Sequence, residues 1–269
     1  MKNLEQYRGC LIGGAAGDAL GYAVEFPGTD AAVKKYGKSG SKNCKLHNGI
    51  APVSSVTQMT LFTANGLLLG TTRGMTRGIM GSYPAYIAAC YKDWLQTQSA
   101  AYPLRPRSPY SWLVNEPELF ARRDPGNTCI SAIINGADGT IDAPMNQSKG
   151  CGGMVRGAPI GLYLGGRRYE SDKIDMIGAE TAALTHGHEL GYIPAAAFVH
   201  MLIAAVNHSG ASSSTGAVTG SIMGTYLGYS SIPDKYIENL ELKNVILELA
   251  DDLYHDCIWN KAWLCAKGG

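Results

Sequence analysis

Charge is scarce in this sequence. Acidic and basic residues together make up 17% of it and nearly cancel, leaving a net charge of +1. Without a basic surplus there is no electrostatic footprint for nucleic acid, and without an acidic one no self-repelling tail. The seven cysteines are scattered, odd in number and never arranged as C-x-x-C. Reduced thiols in a cytosolic protein are therefore expected, not a disulfide framework. Long apolar runs are missing as well. The strongest, Ala195 to Val206, carries His200 and falls short of the roughly 20 residues a spanning helix needs, so it reads as a buried core helix and no membrane is expected. The opening MKNLEQYRG has no apolar signal core, which fits a cytoplasmic location. Period-2 strand patterns, internal repeats and heptads are also lacking.

What remains is apolar, helical in period and rich in glycine. The chain has 269 residues, 45% of them hydrophobic, enough to bury the core of one large domain spanning residues 1–269. The expected class is all-α. Leu4 to Phe26 reads as a helix crowded with Gly13, Gly14, Ala15, Ala16, Gly17 and Ala19. In an exposed helix each glycine costs roughly 1 kcal/mol against alanine, so this one belongs against another backbone. A second small-residue stripe, Gly216, Gly220, Gly224 and Gly228, recurs every fourth residue and offers a face with no side chains. Further helices are expected from Ser55 onward, around Ile79 to Thr97, from Thr128, over Ile174 to His186 and Gly191 to Asn207, and over Tyr236 to Leu253. Ser55 with Gln58 three residues on reads as a capping box, and Pro194 sits in an expected first turn.

Several stretches carry chemistry. Ser148, Lys149, Gly150, Cys151, Gly152 and Gly153 form a Gly-rich turn whose bare backbone N–H groups suit a phosphate, with Lys149 beside it. His186 and His188 are too close in sequence to face one way on a helix, so they are no metal pair; a histidine capping a helix C-terminus is the plain alternative to a ligand contact. Ser212, Ser213, Ser214 and Thr215 sit where a helix begins. Asp18 and Glu25 are the acids on the C-terminal half of the first helix.

In family order, five segments resemble the ADP-ribosylglycohydrolases. They are G-D-A-L-G-x-x-x-E-F ending at Phe26, T-Q-M-T-L-F-T-A from Thr57, P-G-N-T-C from Pro125, the S-K-G-C-G loop from Ser148 with Arg156 beyond it, and Gly210-Ala211-Ser212-Ser213-Ser214-Thr215-Gly216. The resemblance implies an all-α fold, two magnesium ions, and cleavage of ADP-ribose from a modified side chain. It makes Glu25 an acid over the active site and the Ser148 loop the lining of the ADP-ribose diphosphate. It also implies ligand contacts from Thr57, Arg156, His186 or His188, Ser212, Ser214 and Thr215.

The family's four metal-binding aspartates fall on Ser55, Val56, Ala211 and Ser213. Magnesium wants oxygen ligands, usually carboxylates, and two such ions side by side need several negative ligands to offset their repulsion. No binuclear magnesium site, and no other cofactor, is expected. Three readings follow: a catalytically degenerate protein that binds ADP-ribose, a related nucleotide, an ADP-ribosylated protein or a partner protein; an active hydrolase without metal or with a site rebuilt from Glu25 and Asp18; and a structural protein like the lens crystallins that resemble this family.

Overall fold

The computed structural model describes residues 3–25, 44, 46–78, 81–104, 109–165, 167, 169–201 and 212–256. Among them are nine α-helices: α1 (Leu4–Glu25), α2 (Ser55–Arg77), α3 (Tyr83–Thr97), α4 (Asn127–Ile134), α5 (Ala158–Gly165), α6 (Ser171–Ala183), α7 (Glu189–Met201), α8 (Ser212–Leu227) and α9 (Lys243–His255). Extended pairing among the described residues amounts to two isolated bridges, His47 with Ile50 and Ala51 with Leu240. The class is all-α. No described helix is long and apolar enough to cross a membrane.

The two glycine stripes pack on each other. Gly9, Gly13 and Gly17 of α1 face Gly224, Gly220 and Gly216 of α8, so the helices run antiparallel. A Cβ on any of these six would fall inside a backbone carbonyl of the partner helix. The bidentate pair of Arg8 with Asp251, 2.6 Å at each nitrogen, then fastens α9 to the other side of α1.

α2 runs through the core. From Ser55 to Thr72 nearly every residue is buried, polar ones included. The Thr63 hydroxyl satisfies itself on Met59 O (3.0 Å) and Tyr91 Oη (2.7 Å). The N-cap of α2 is Ser54, not Ser55: its Oγ accepts from Val56 N. Gln58 does not close a capping box. Its amide instead donates to Ala121 O and its oxygen accepts from Trp94 Nε1 and Gln98 Nε2, because burial turns it into a tertiary tie.

Other boundaries shift for local reasons. α3 begins at Tyr83, not Ile79, since Ser82 caps it, its side chain accepting from Ala85 N, and Pro84 suits the first turn that follows. α7 begins at Glu189, which leaves Pro194 inside the helix; His188 Nδ1 accepts from Leu190 N at 3.0 Å and starts it early. α9 begins at Lys243, not Tyr236, because Leu242 sits at φ +60° and breaks the run; Asp234–Tyr236 is a separate 3-10 turn.

Candidate functional site

The N-terminus of α2 is anchored from beneath by Asp18. This fully buried carboxylate accepts from Ser54 N (2.9 Å), Ser54 Oγ (2.6 Å), Thr57 N (3.3 Å) and Thr57 Oγ1 (2.6 Å). Burial pushes its pKa up to about 6 against the pull of those four donors. Ser55 N is taken by Arg123 O at 2.8 Å, and Ser55 Oγ reaches Asp124 O at 3.3 Å. The first turn of α2 is thus saturated by protein atoms.

In front of that turn lies a cavity of about 360 Å³. Its walls come from Tyr22 on α1, Ser54 to Val56 and Met59 on α2, Asp124 to Cys129 around the start of α4, the loop Gly150 to Gly152, and Val155, Arg156 and His186. A larger apolar groove runs along the α1–α8 seam, lined by Leu20, Met223, Leu227 and Ile232; among the described residues Tyr236 is its one titratable group.

Arg156 dominates the cavity. It is fully buried and, among the described residues, pairs with no carboxylate. Its guanidinium donates to Thr185 Oγ1 (2.7 Å) and Thr181 O (3.3 Å), contacts Met59 Sδ and Cys129 Sγ (3.6 Å each), and stacks on the Tyr91 ring 4.6 Å from the centroid. Its Nε has no hydrogen-bond partner. A buried cation of this kind is costly unless something anionic meets it. The start of α4 adds to the positive field, since its N-cap is Gly126 and no side chain caps its first turn.

His186 is buried beside Arg156, with Nδ1 2.8 Å from Thr185 Oγ1. Desolvation, helped by the Arg156 charge, holds its pKa down to about 3, so the ring is neutral. Gly150 and Gly152 leave room for it: a Cβ on either would stand 3.0–3.4 Å from imidazole atoms. At the opposite rim Tyr22 Oη donates to Asp124 Oδ2 at 2.5 Å, and Asp124 holds φ +49°. The desolvated phenol beside this carboxylate has its pKa raised.

Seven of the positions singled out in the sequence meet in this cavity: Ser55, Val56, Gly150, Cys151, Gly152, Arg156 and His186. Thr57 does not line it, being turned onto Asp18. Ser148 stands behind the loop, its Oγ accepting from Gly150 N (3.3 Å) and lying 3.4 Å from Thr128 Oγ1. Lys149 is exposed, and His188 caps the N-terminus of α7 rather than a helix C-terminus. Glu25 closes α1 with its side chain outside the described residues. Ala211 and the side chains of Ser212, Ser213, Ser214 and Thr215 also lie outside them.

Sequence reasoning gave no site role to Tyr22, Ser54, Asp124, Thr128 or Cys129. Thr128 and Cys129 sit inside the P-G-N-T-C segment, which was a usable signal; Tyr22 lies three residues before Glu25, one helical turn away.

Of the four positions expected to replace metal-binding aspartates, the described residues include the side chains of Ser55 and Val56 alone. At the start of α2 these offer a serine hydroxyl and a valine, and among the described residues no three His, Cys, Asp or Glu side chains converge. Hard dications placed side by side need several carboxylates.

The model of the ADP-ribosylglycohydrolase family matches residues 1–205 and 198–262. A solved structure described as an ADP-ribosylglycohydrolase-related protein complex superposes with a TM-score of 0.58, covering 94% of this chain and 98% of its own, at 18% identity. At that identity the likeness speaks for the fold. No curated protein matches the sequence. The match of sequence and fold over nearly the whole length places this chain in the ADP-ribosylglycohydrolase family.

Proposed function

We propose that this protein binds ADP-ribose, a related nucleotide or an ADP-ribosylated protein in the Arg156 cavity, and that it is a degenerate member of its family without a binuclear magnesium centre. One observation carries the reading: a fully buried guanidinium with an unpartnered Nε lines a cavity beside a Gly-rich loop. A diphosphate is the ligand chemistry that would offset that charge, and arginine with backbone N–H groups is a suitable donor set for it. The cavity volume of about 360 Å³ lies within the usual range of small-molecule sites.

The loss of turnover is an electrostatic expectation. A metal clamp supplies several kcal/mol to developing charge and places the attacking water; each 1.36 kcal/mol is tenfold in rate. Ser55, Val56, Ala211 and Ser213 supply no anionic ligand to hold such a clamp. One observation favours a residual hydrolase: Asp124, held by Tyr22, is a carboxylate in the cavity wall.

Calorimetric titration with ADP-ribose, with magnesium and then with a chelator, tests the reading. Binding that does not depend on magnesium is expected, with no release of ADP-ribose from modified protein. Arg156→Met should weaken binding by about tenfold or more, the worth of a charge-assisted hydrogen bond. Magnesium-dependent turnover comparable with an active relative would overturn the degenerate reading; absence of any binding would favour a structural role.

A further inference from the structure

We propose that Thr185 is a positioning residue that fixes His186 as the tautomer protonated on Nε2, making the imidazole a hydrogen-bond donor into the cavity. The argument is a count of protons and lone pairs. The Thr185 hydroxyl has one proton to give and two lone pairs. Arg156 can only donate, so at 2.7 Å it occupies one lone pair of Thr185 Oγ1. The hydroxyl proton then has two candidate acceptors, His186 Nδ1 at 2.8 Å and Ala182 O at 3.5 Å. Ala182 O already accepts from Thr185 N (3.1 Å) and His186 N (3.0 Å), which uses both of its lone pairs. The proton therefore goes to Nδ1, and a neutral ring must carry its own proton on Nε2.

Nε2 faces the loop glycines. A Cβ on Gly152 would stand 3.1 Å from it and one on Gly150 3.3 Å, and among the described residues no protein atom bonds to it. The burial that keeps the ring neutral removes the third possibility, an imidazolium. Arg156, Thr185 and His186 thus form a chain of donors running from the guanidinium to Nε2–H, in which each bond polarises the next. This wall offers donors only. It suits a phosphoryl oxygen, repels a cation, and leaves His186 unable to act as a general base. The phosphoryl part of this inference rests on the nucleotide reading of the cavity; the relay does not.

The test is ¹⁵N NMR of histidine-labelled protein, with the His186 signals assigned by their loss in His186→Asn. The free wild-type protein should show a protonated Nε2 and an unprotonated Nδ1. Thr185→Ser should keep that pattern, while Thr185→Val, close in shape but without the hydroxyl, should change it, moving the Nδ1 signal as its hydrogen bond is lost. A protonated Nδ1 in the wild type, or an unchanged spectrum in Thr185→Val, overturns the relay. Inorganic pyrophosphate should then bind about fivefold more weakly to Thr185→Val and with little change to Thr185→Ser. Equal pyrophosphate binding by all three proteins would overturn Nε2–H as a donor to phosphate. A wild-type protein that shows the Nε2–H form yet binds neither pyrophosphate nor ADP-ribose would uphold the relay and sink the nucleotide reading.

Discussion

Glycine serves two different ends in this molecule. Along the α1–α8 seam the missing Cβ atoms of Gly9, Gly13, Gly17, Gly216, Gly220 and Gly224 would each meet a backbone carbonyl. In the loop before Arg156 the missing Cβ atoms of Gly150 and Gly152 would meet the His186 ring. A carbonyl about 2 Å away in a helix cannot step aside, whereas an imidazole 3.0–3.4 Å away has to give by only a few tenths of an ångström. The seam glycines are therefore a condition of folding. On the nucleotide reading, the loop glycines leave the ring and the backbone open to a ligand.

The largest effect that would break this contrast lies in the seam. Gly220→Leu must drive a side chain into Gly13 O and the backbone around it. Overpacking usually costs 1–3 kcal/mol, and with backbone on the receiving side a loss of about 3 kcal/mol or more is expected. Chemical denaturation measures it. A variant as stable as the parent would mean that the helices do not meet along this stripe.

In the loop the same kind of change should spare stability and spoil binding. The Cβ of Gly152→Val lies 3.0 Å from His186 Cε1 and 3.4 Å from Cys129 Sγ, contacts that small side-chain movements relieve. A stability loss of about 1 kcal/mol or less is expected, with ADP-ribose affinity down by about tenfold, as the branched side chain fills the space where the ligand would approach the loop. Unchanged affinity would show that the loop is not the cradle.

The seam was legible because both of its halves repeat a pattern that makes sense only against another backbone. α2 was legible for its apolar content, but its chemistry was not. Ser55 and Gln58 satisfy the local spelling of a capping box, yet the cap is Ser54, because Asp18 reaches up from α1 to fix Ser54 and Thr57, and Gln58 is drawn away by Trp94 and Gln98. A contact between residues 36 positions apart leaves no trace in local spacing. The loop with Arg156 and His186 could be read as two separate motifs. That they share Thr185, and that no carboxylate among the described residues pairs with Arg156, are facts of assembly. Tyr22 and Asp124 are distant in sequence and meet only at the cavity rim.

A last effect, spread thinly over several pH units, separates seam from cavity by protonation. The seam glycines carry no titrating side chain, so its stability should not vary with protonation, whereas the cavity region should respond. His186 has its pKa lowered from 6.5 to about 3, so below pH 6.5 the unfolded chain takes up a proton that the folded protein refuses. Its contribution is fully present above 6.5 and is lost as pH falls toward 3. Buried Asp18 works the other way: with its pKa raised from 3.8 to about 6, its ionisation counts against the fold as pH rises through that interval. Asp93, raised to about 6 as well, does the same. These opposing slopes blur the pH profile of the wild-type protein. Both acids are retained in His186→Asn, so they cancel in the difference between the two proteins. The stability of the wild type relative to His186→Asn should therefore fall between pH 7 and pH 4, by about 1 kcal/mol per pH unit on average and about 1.4 at the steepest. Paired thermal melts across that range measure it. A flat difference would mean that the ring takes up a proton as readily in the folded state as in the unfolded one, and the cavity wall would then hold an imidazolium.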